Sequence, residues 1–302
     1  MPAYLKLASA ACIAAYLAYS GVKKKSLSKG GAAAAFFVGF FSFLVSARHG
    51  FTMIAFYKSS SILTKAGHAQ KKLLADDYQE GGQRSAWQVL SCSLFATLLA
   101  LYGWLKLGMS DAFIDFRVDP LGSGLLCAYV AFYATCNGDT WSSELGILSR
   151  SPPRLILPPF RSVPRGTNGG VSALGTVAAA AGGLFIGLAF FLLGVVSGCC
   201  LPGDGTNSEL SPPSQLPLLA LGALSGLLGS VLDSAMGAIL QASYYSDERH
   251  CIVSAPTAAE LKDGAVRRVC GRDWLTNQQV NAISAVVVSV AGGLLARRLF
   301  PG

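Results

Sequence analysis

The chain has 302 residues, 52% of them hydrophobic and only 13% charged, with a net charge of +8. Soluble domains carry roughly 25% charged residues, so the composition excludes an ordinary soluble enzyme and points to the membrane class. The positive balance suits an anionic membrane face or a phosphorylated ligand, and basic residues scattered among loops between apolar segments argue against nucleic acid.

Residues 3–20 are apolar and precede Lys23, Lys24 and Lys25. A secretory signal has the reverse order, so this stretch is read as an uncleaved first helix. After the basic loop 21–30, residues 31–47 are about long enough to span a bilayer core. Arg48-His49-Gly50 then permits either one long helix through residue 57 or a tight hairpin with a short third helix. Charge decides between them. With the hairpin, loops 21–30, 58–85, 137–168 and 244–279 share one side and carry 18 Lys and Arg, against Arg48, Lys106, Arg117, Arg297 and Arg298 opposite. That split satisfies the positive-inside rule. The middle of the loop 59–84 reads as a charged surface helix. Residues 86–105, 122–136, 170–198, 216–243 and 280–296 read as further spans, and the loop 106–120 is acidic. The expected fold class is therefore all-α: one domain, 1–302, forming a polytopic integral-membrane helix bundle of about 7–8 transmembrane segments. The functional loops 58–85, 137–169 and 244–279 are expected to be cytosolic.

The eight cysteines form no CxxC and lie mostly in apolar runs, so neither a disulfide framework nor a zinc site is expected. His49, His68 and His250 are isolated and receive no role. Trp141 reads first as an interface anchor.

Asp233 is the sharpest signal, being the one charge in the run 216–243. A carboxylate inside a membrane segment is costly and usually faces a water-filled cavity or a partner. Its stripe, Ser225, Gly229, Asp233 and Gly237, shares one helix face and permits close packing. The polar island 137–170 lies between two apolar segments. Asn137-Gly138 is expected to break the preceding helix, leaving Asp139 to cap a new one that holds Glu144. Asp139, Glu144 and Asp233 would together supply hard oxygen ligands of the kind that bind Mg²⁺ along with substrate phosphates. Arg161 and Arg165 precede the turn Gly166-Thr167-Asn168-Gly169-Gly170, whose amides suit an anion at a helix start. Lys65 and Arg84 could clamp phosphate, near Ser59, Ser60, Ser61 and Thr64. Asn277 and Asn281, four apart, suggest a polar pocket or an interhelical hydrogen bond.

The stretches SSSILTK (59–65), EGGQR (80–84), GDTWSSELG (138–146), VPRGTNGGVS (163–172), GLLGSVLDSAMGA (226–238) and NQQVN (277–281) stand in this order. From residue 25 onward the chain thus resembles the transmembrane protein 19 family, related to the plant phytyl-phosphate kinase of tocopherol synthesis. The resemblance implies an isoprenyl monophosphate kinase that takes a phosphoryl group from CTP or another nucleoside triphosphate. It implies Mg²⁺ at Asp139, Glu144 and Asp233, and phosphate clamping by Lys65, Arg84, Arg161 and Arg165. Thr167, Asn168 and Gly169 would cradle the nucleotide, and Asn277 and Asn281 would line the pocket. A CTP-dependent lipid-phosphate nucleotidyltransferase and a lipid-phosphate transporter are the alternatives. The expected partners are the lipid monophosphate and membrane lipids, with no nucleic acid and no oligomeric state assigned. An endoplasmic-reticulum or other endomembrane site is expected rather than a plastid.

Overall fold

The computed structural model describes residues 2–66, 83–108, 113–197 and 214–300. The expected surface helix within 59–84 falls largely on residues 67–82 and so lies outside the described residues, as do His68, Cys199 and Cys200. In chain order the helices are α1 (Ala3–Lys23), α2 (Lys29–Val45), α3 (Ala47–Lys65), α4 (Ala86–Ser91), α5 (Leu94–Leu107) and α6 (Pro120–Gly146). They continue with α7 (Ala173–Val196), α8 (Pro217–Leu240), α9 (Ala258–Lys262) and α10 (Asn277–Leu295).

The hairpin is present. Ser46 is extended (φ −163°, ψ 160°), ending α2 and capping α3, with its hydroxyl accepting from the His49 amide. One of the five charges counted on the opposite side does not lie outside the bundle, however. Arg48 is 1% exposed; its Nε donates to Phe190 O at 3.0 Å and its guanidinium lies 3.7 Å over the Phe190 ring. His49 is buried beside it, held through Ser46 Oγ at 2.8 Å.

Helix α6 is the axis of the molecule. Every residue from Leu126 to Gly138 is buried, packed against α3, α5, α7, α8 and α10. Glycines let α6, α7 and α8 approach backbone to backbone. A Cβ on Gly183 would lie 2.1 Å from Gly222 O, and one on Gly226 2.5 Å from Ala179 O. Among the described residues four helices are long and apolar enough to cross a membrane: α1, α7, α8 and the segment Asn277–Arg298, while α2 and α5 are shorter apolar helices. The expected count of seven or eight exceeds that set because α2 and α5 are short, α3 carries Arg48, His49, Lys58 and Lys65 in a polar sequence, and α6 is largely covered by protein, where a helix needs no lipid-like surface.

The chain is not purely helical. The loop after α8 folds into a three-stranded antiparallel sheet of order β4-β3-β5: β3 (Ser243–Ser246), β4 (Cys251–Val253) and β5 (Val266–Cys270). Two short strands, β1 (Arg154–Leu155) and β2 (Gly170–Val171), pair across the polar island. Leu155, Val163, Ala238 and Val269 form a small apolar cluster joining the two sheets to the end of α8.

Candidate functional site

One cavity of about 800 Å³ opens at the end of the bundle where the basic loops gather. It is lined from α3, α4, α6, α8, α10 and the 147–172 loop, so the three sequence regions singled out do converge there.

The expected break at Asn137-Gly138 does not occur, because α6 runs through it. Asn137 is fully buried. Its Nδ2 donates to Gly182 O at 2.8 Å, and its Oδ1 accepts from Ser59 Oγ (2.8 Å) and Ser60 Oγ (3.2 Å). Gly138 sits where a Cβ would come within 2.6 Å of Gly226 Cα. An amide with satisfied partners and a glycine at a helix crossing are compatible with a continuous helix. Asp139 is therefore no cap: it projects from the last turns of α6 into the cavity, followed by Thr140, Ser142, Ser143 and Glu144.

Asp233 faces it from α8. Ser230, one turn before Asp233, lies beside Asp139, and the two carboxylates are close enough to interact electrostatically. Asp233 Oδ2 is held from α10 by Ser284 Oγ (3.2 Å). With its amide turned to satisfy both neighbours, Asn281 donates to Asp233 Oδ2 (3.0 Å) and to Asn277 O (2.9 Å). Asn277 opens α10 beside the Thr276–Gln279 capping box, and both asparagines line the cavity. Among the described residues no three His, Cys, Asp or Glu side chains group closely enough to hold a metal ion. Glu144 thus shares the cavity with Asp139 and Asp233 without closing a three-carboxylate cluster with them.

The glycine turn forms the opposite wall. Gly169 has φ +75°, and a Cβ there would meet Ala238 Cβ at 2.4 Å, so both its conformation and its space require glycine. Asn168 is braced on the sheet: its amide donates to Ser243 Oγ (2.9 Å), and its carbonyl accepts from Cys270 Sγ (3.3 Å). Burial pushes the Cys270 thiol up, which keeps it protonated as that donor. Thr167 is buried. Ser172 caps α7, whose first turn lines the cavity through Ser172 and Gly175.

The cations divide. Arg84 and Arg165 line the cavity. Arg165 Nη2 also donates to Ser149 O (2.7 Å) and Arg150 O (3.1 Å), and the Arg84 guanidinium lies over Phe56 and Tyr57. Arg161 and Lys65 are not among the lining residues. Arg161 reaches across to the Val269 carbonyl on β5, and Lys65 is exposed at the end of α3. Ser59 and Ser60 serve Asn137. Trp141, half-buried, packs on the exposed Phe185 with ring centroids 5.6 Å apart. Sequence reasoning missed Ser230, Ser284 and Gln241 as members of the site. Ser230 had a readable signal, one helical turn before Asp233.

The profile of the integral membrane family DUF92 matches residues 12–289. The chain belongs to the DUF92 family. The transmembrane protein 19 resemblance agrees with this membership. Among its relatives, Protein PGR of Arabidopsis thaliana is 35% identical over 295 residues, 98% of each chain. An uncharacterized membrane protein of Methanocaldococcus jannaschii is 33% identical over 125 residues, 41% of this chain and 44% of its own. Protein VTE6, chloroplastic, of Arabidopsis thaliana is 27% identical over 216 residues, 71% of this chain and 56% of its own. No solved structure matches. DUF92 membership makes the chain an integral, multi-pass membrane protein. A relative named chloroplastic gives no preference for an endomembrane over a plastid.

Proposed function

We propose that this DUF92 protein is an isoprenyl monophosphate kinase, moving the γ-phosphoryl group of a nucleoside triphosphate such as CTP onto a lipid monophosphate. The observation that carries the reading is the single cavity in which Asp139 and Asp233, from membrane helices, face Arg84, Arg165 and the 166–170 turn. The resemblance to the phytyl-phosphate kinase supports the same reading.

The donor set suits Mg²⁺. Two carboxylates with neighbouring hydroxyl and amide groups are hard oxygen ligands, and Mg²⁺ takes its remaining positions from water and phosphates rather than from a full protein cage. Asp139 and Asp233 would hold the ion, with Glu144 further along the same wall. When bound, it would neutralise charge on the phosphates.

The acceptor is already an anion at neutral pH, so the reaction needs positioning and charge stabilisation more than a strong base. An acceptor phosphate oxygen forms the new P–O bond while the bond to the β–γ bridging oxygen breaks, and the nucleoside diphosphate leaves with that electron pair. Arg84 and Arg165 draw the charged groups into the cavity mouth. The Gly169 backbone and the first turn of α7 offer amides to the donor phosphates. Ser284 and Asn281 fix the Asp233 carboxylate.

The test is a product assay on purified protein with Mg²⁺, CTP or ATP, and phytyl, farnesyl or geranylgeranyl monophosphate. A prenyl diphosphate is expected from wild type, with a rate on the order of 10²–10³-fold lower from Asp139→Asn. A cytidylylated lipid with pyrophosphate release would make the protein a nucleotidyltransferase, and unchanged turnover in Asp139→Asn would remove that carboxylate from the mechanism.

A further inference from the structure

The turn between α1 and α2 is built more tightly than a connector needs to be. Lys23, Lys24, Lys25 and Lys29 stand exposed around it, and none forms an ion pair among the described residues. Beneath them the turn is closed. The Ser26 and Leu27 amides both donate to Gly21 O (2.9 and 3.2 Å), and Ser26 Oγ meets Tyr57 OH at 2.7 Å. Leu27 is 3% exposed and fills the space a side chain on Gly21 would need. Lys25 holds φ +53°, a conformation that glycine or asparagine adopts more readily.

The same turn is pinned to the cavity wall. Arg84 N donates to Ser26 O (3.0 Å), Ser28 N donates to Arg84 O (3.1 Å), and Leu27 and Arg84 pair as an isolated parallel bridge. Topology alone asks only for positive charge at this end. It does not ask for a preorganised turn hydrogen-bonded to a cavity arginine.

We infer that the turn at residues 23–29 is a binding site for anionic phospholipid headgroups, and that its occupancy firms the segment carrying Arg84. The charges match, since anionic lipids attract basic segments that adjoin a membrane helix. Lys23 ends a helix long and apolar enough to span, Lys24 and Lys25 follow it, and Lys29 opens α2, which sets them at headgroup depth. Because the turn is rigid beforehand, a headgroup gains several cations without first ordering a loop. The site stands whether or not the cavity transfers phosphate, and its test uses no reaction.

The experiment places the full chain in nanodiscs of phosphatidylcholine alone or mixed with phosphatidylglycerol. Native mass spectrometry measures retained phosphatidylglycerol, and hydrogen exchange follows the segment 83–91. Wild type is expected to retain the anionic lipid and to gain protection at 83–91 in the mixed discs. The combined variant Lys23→Gln, Lys24→Gln, Lys25→Gln, Lys29→Gln is expected to lose both effects. The loss in affinity is on the order of 10²–10³-fold, from roughly fivefold per lysine. Arg297→Gln with Arg298→Gln, basic residues at the opposite end of the bundle, should behave as wild type. Equal lipid retention by the lysine variant would overturn the site, and retention lost with unchanged protection at 83–91 would overturn the link to Arg84. Protection reproduced by inorganic phosphate in phosphatidylcholine discs would move the site to soluble anions and refute the lipid assignment.

Discussion

Gly183→Ala tests whether the glycine seam sets the geometry of the carboxylates. The added Cβ would stand 2.1 Å from Gly222 O and 2.8 Å from Gly226 Cα, whereas ordinary contact begins at 3.4 Å. Both neighbours are backbone, so no rotamer change relieves the clash. Helices α7 and α8 must therefore separate by about 1.3 Å at that level, given the 2.1 Å and 3.4 Å distances. Alanine gains up to about 1 kcal/mol in helix propensity over glycine, but forcing a methyl into a packed interface costs about 1–3 kcal/mol or more, so the net change is destabilising. Asp233 rides on α8 and Asp139 on α6, which packs on both α7 and α8. A shift of about 1 Å between reacting groups costs on the order of 10²-fold in rate. Thermal unfolding and phosphoryl transfer would be measured beside Gly39→Ala, whose Cβ would meet Ala14 Cβ at an ordinary 3.5 Å. Gly183→Ala is expected to melt several degrees below that control and to lose activity. If both variants melt together and turn over alike, the seam does not position the site.

Three further outcomes follow from the same geometry. Asn281→Ala removes the amide donor to Asp233 and should lower turnover about tenfold, the effect of losing one charge-assisted hydrogen bond, with little change in melting; turnover equal to wild type would show that Ser284 alone holds the carboxylate. Arg161→Ala should raise the KM for nucleotide several-fold with a smaller change in kcat, because Arg161 reaches β5 rather than the cavity; a collapse in kcat like that of Asp139→Asn would place it on the phosphates. Asn137→Ala leaves Gly182 O and two hydroxyls without their amide partner and should cost about 1–2 kcal/mol by chemical or thermal unfolding, and an unchanged midpoint would show that the network is idle.

The sequence made the large-scale arrangement legible through charge. Counting Lys and Arg by side chose a hairpin at Arg48-His49-Gly50, which the structure sets slightly earlier, at Ser46, and gathered the polar loops at one end, where the cavity lies. The stripe of Ser225, Gly229 and Asp233 was equally readable, since a period of four places them on one face: Thr135 Oγ1 donates to Ser225 O, Gly229 abuts Thr135, and Asp233 meets Ser284. What misled were local rules overridden by packing. Asn137-Gly138 is a turn signal in water, but here tertiary partners absorb both residues into a helix. Arg48 looked like a surface charge, because pattern alone does not reveal that Phe190 offers a carbonyl and a ring face to it. The β3–β5 sheet was missed because its strands have only four, three and five residues and its adjacent tyrosines, Tyr244 and Tyr245, break the alternation that marks a strand. Arg161 was grouped with the phosphate-binding arginines by proximity in sequence, when its partner lies 108 positions away.

The burial of α6 bears on how the molecule is made. This helix falls outside the set apolar enough to cross a membrane, and it carries Thr135, Asn137 and Asp139 toward neighbours α7, α8 and α10 that are synthesised after it. At the moment it leaves the ribosome, Ser59 and Ser60 are already made, but the Gly182 carbonyl that takes the Asn137 amide and the helices that flank Gly138 do not yet exist. Integration of α6 is therefore expected to wait for its successors, as a delayed step in biogenesis. A chain halted after residue 146 should leave this segment unintegrated, as glycosylation-site mapping would report, and a chain extended through α8 should carry it into the bilayer.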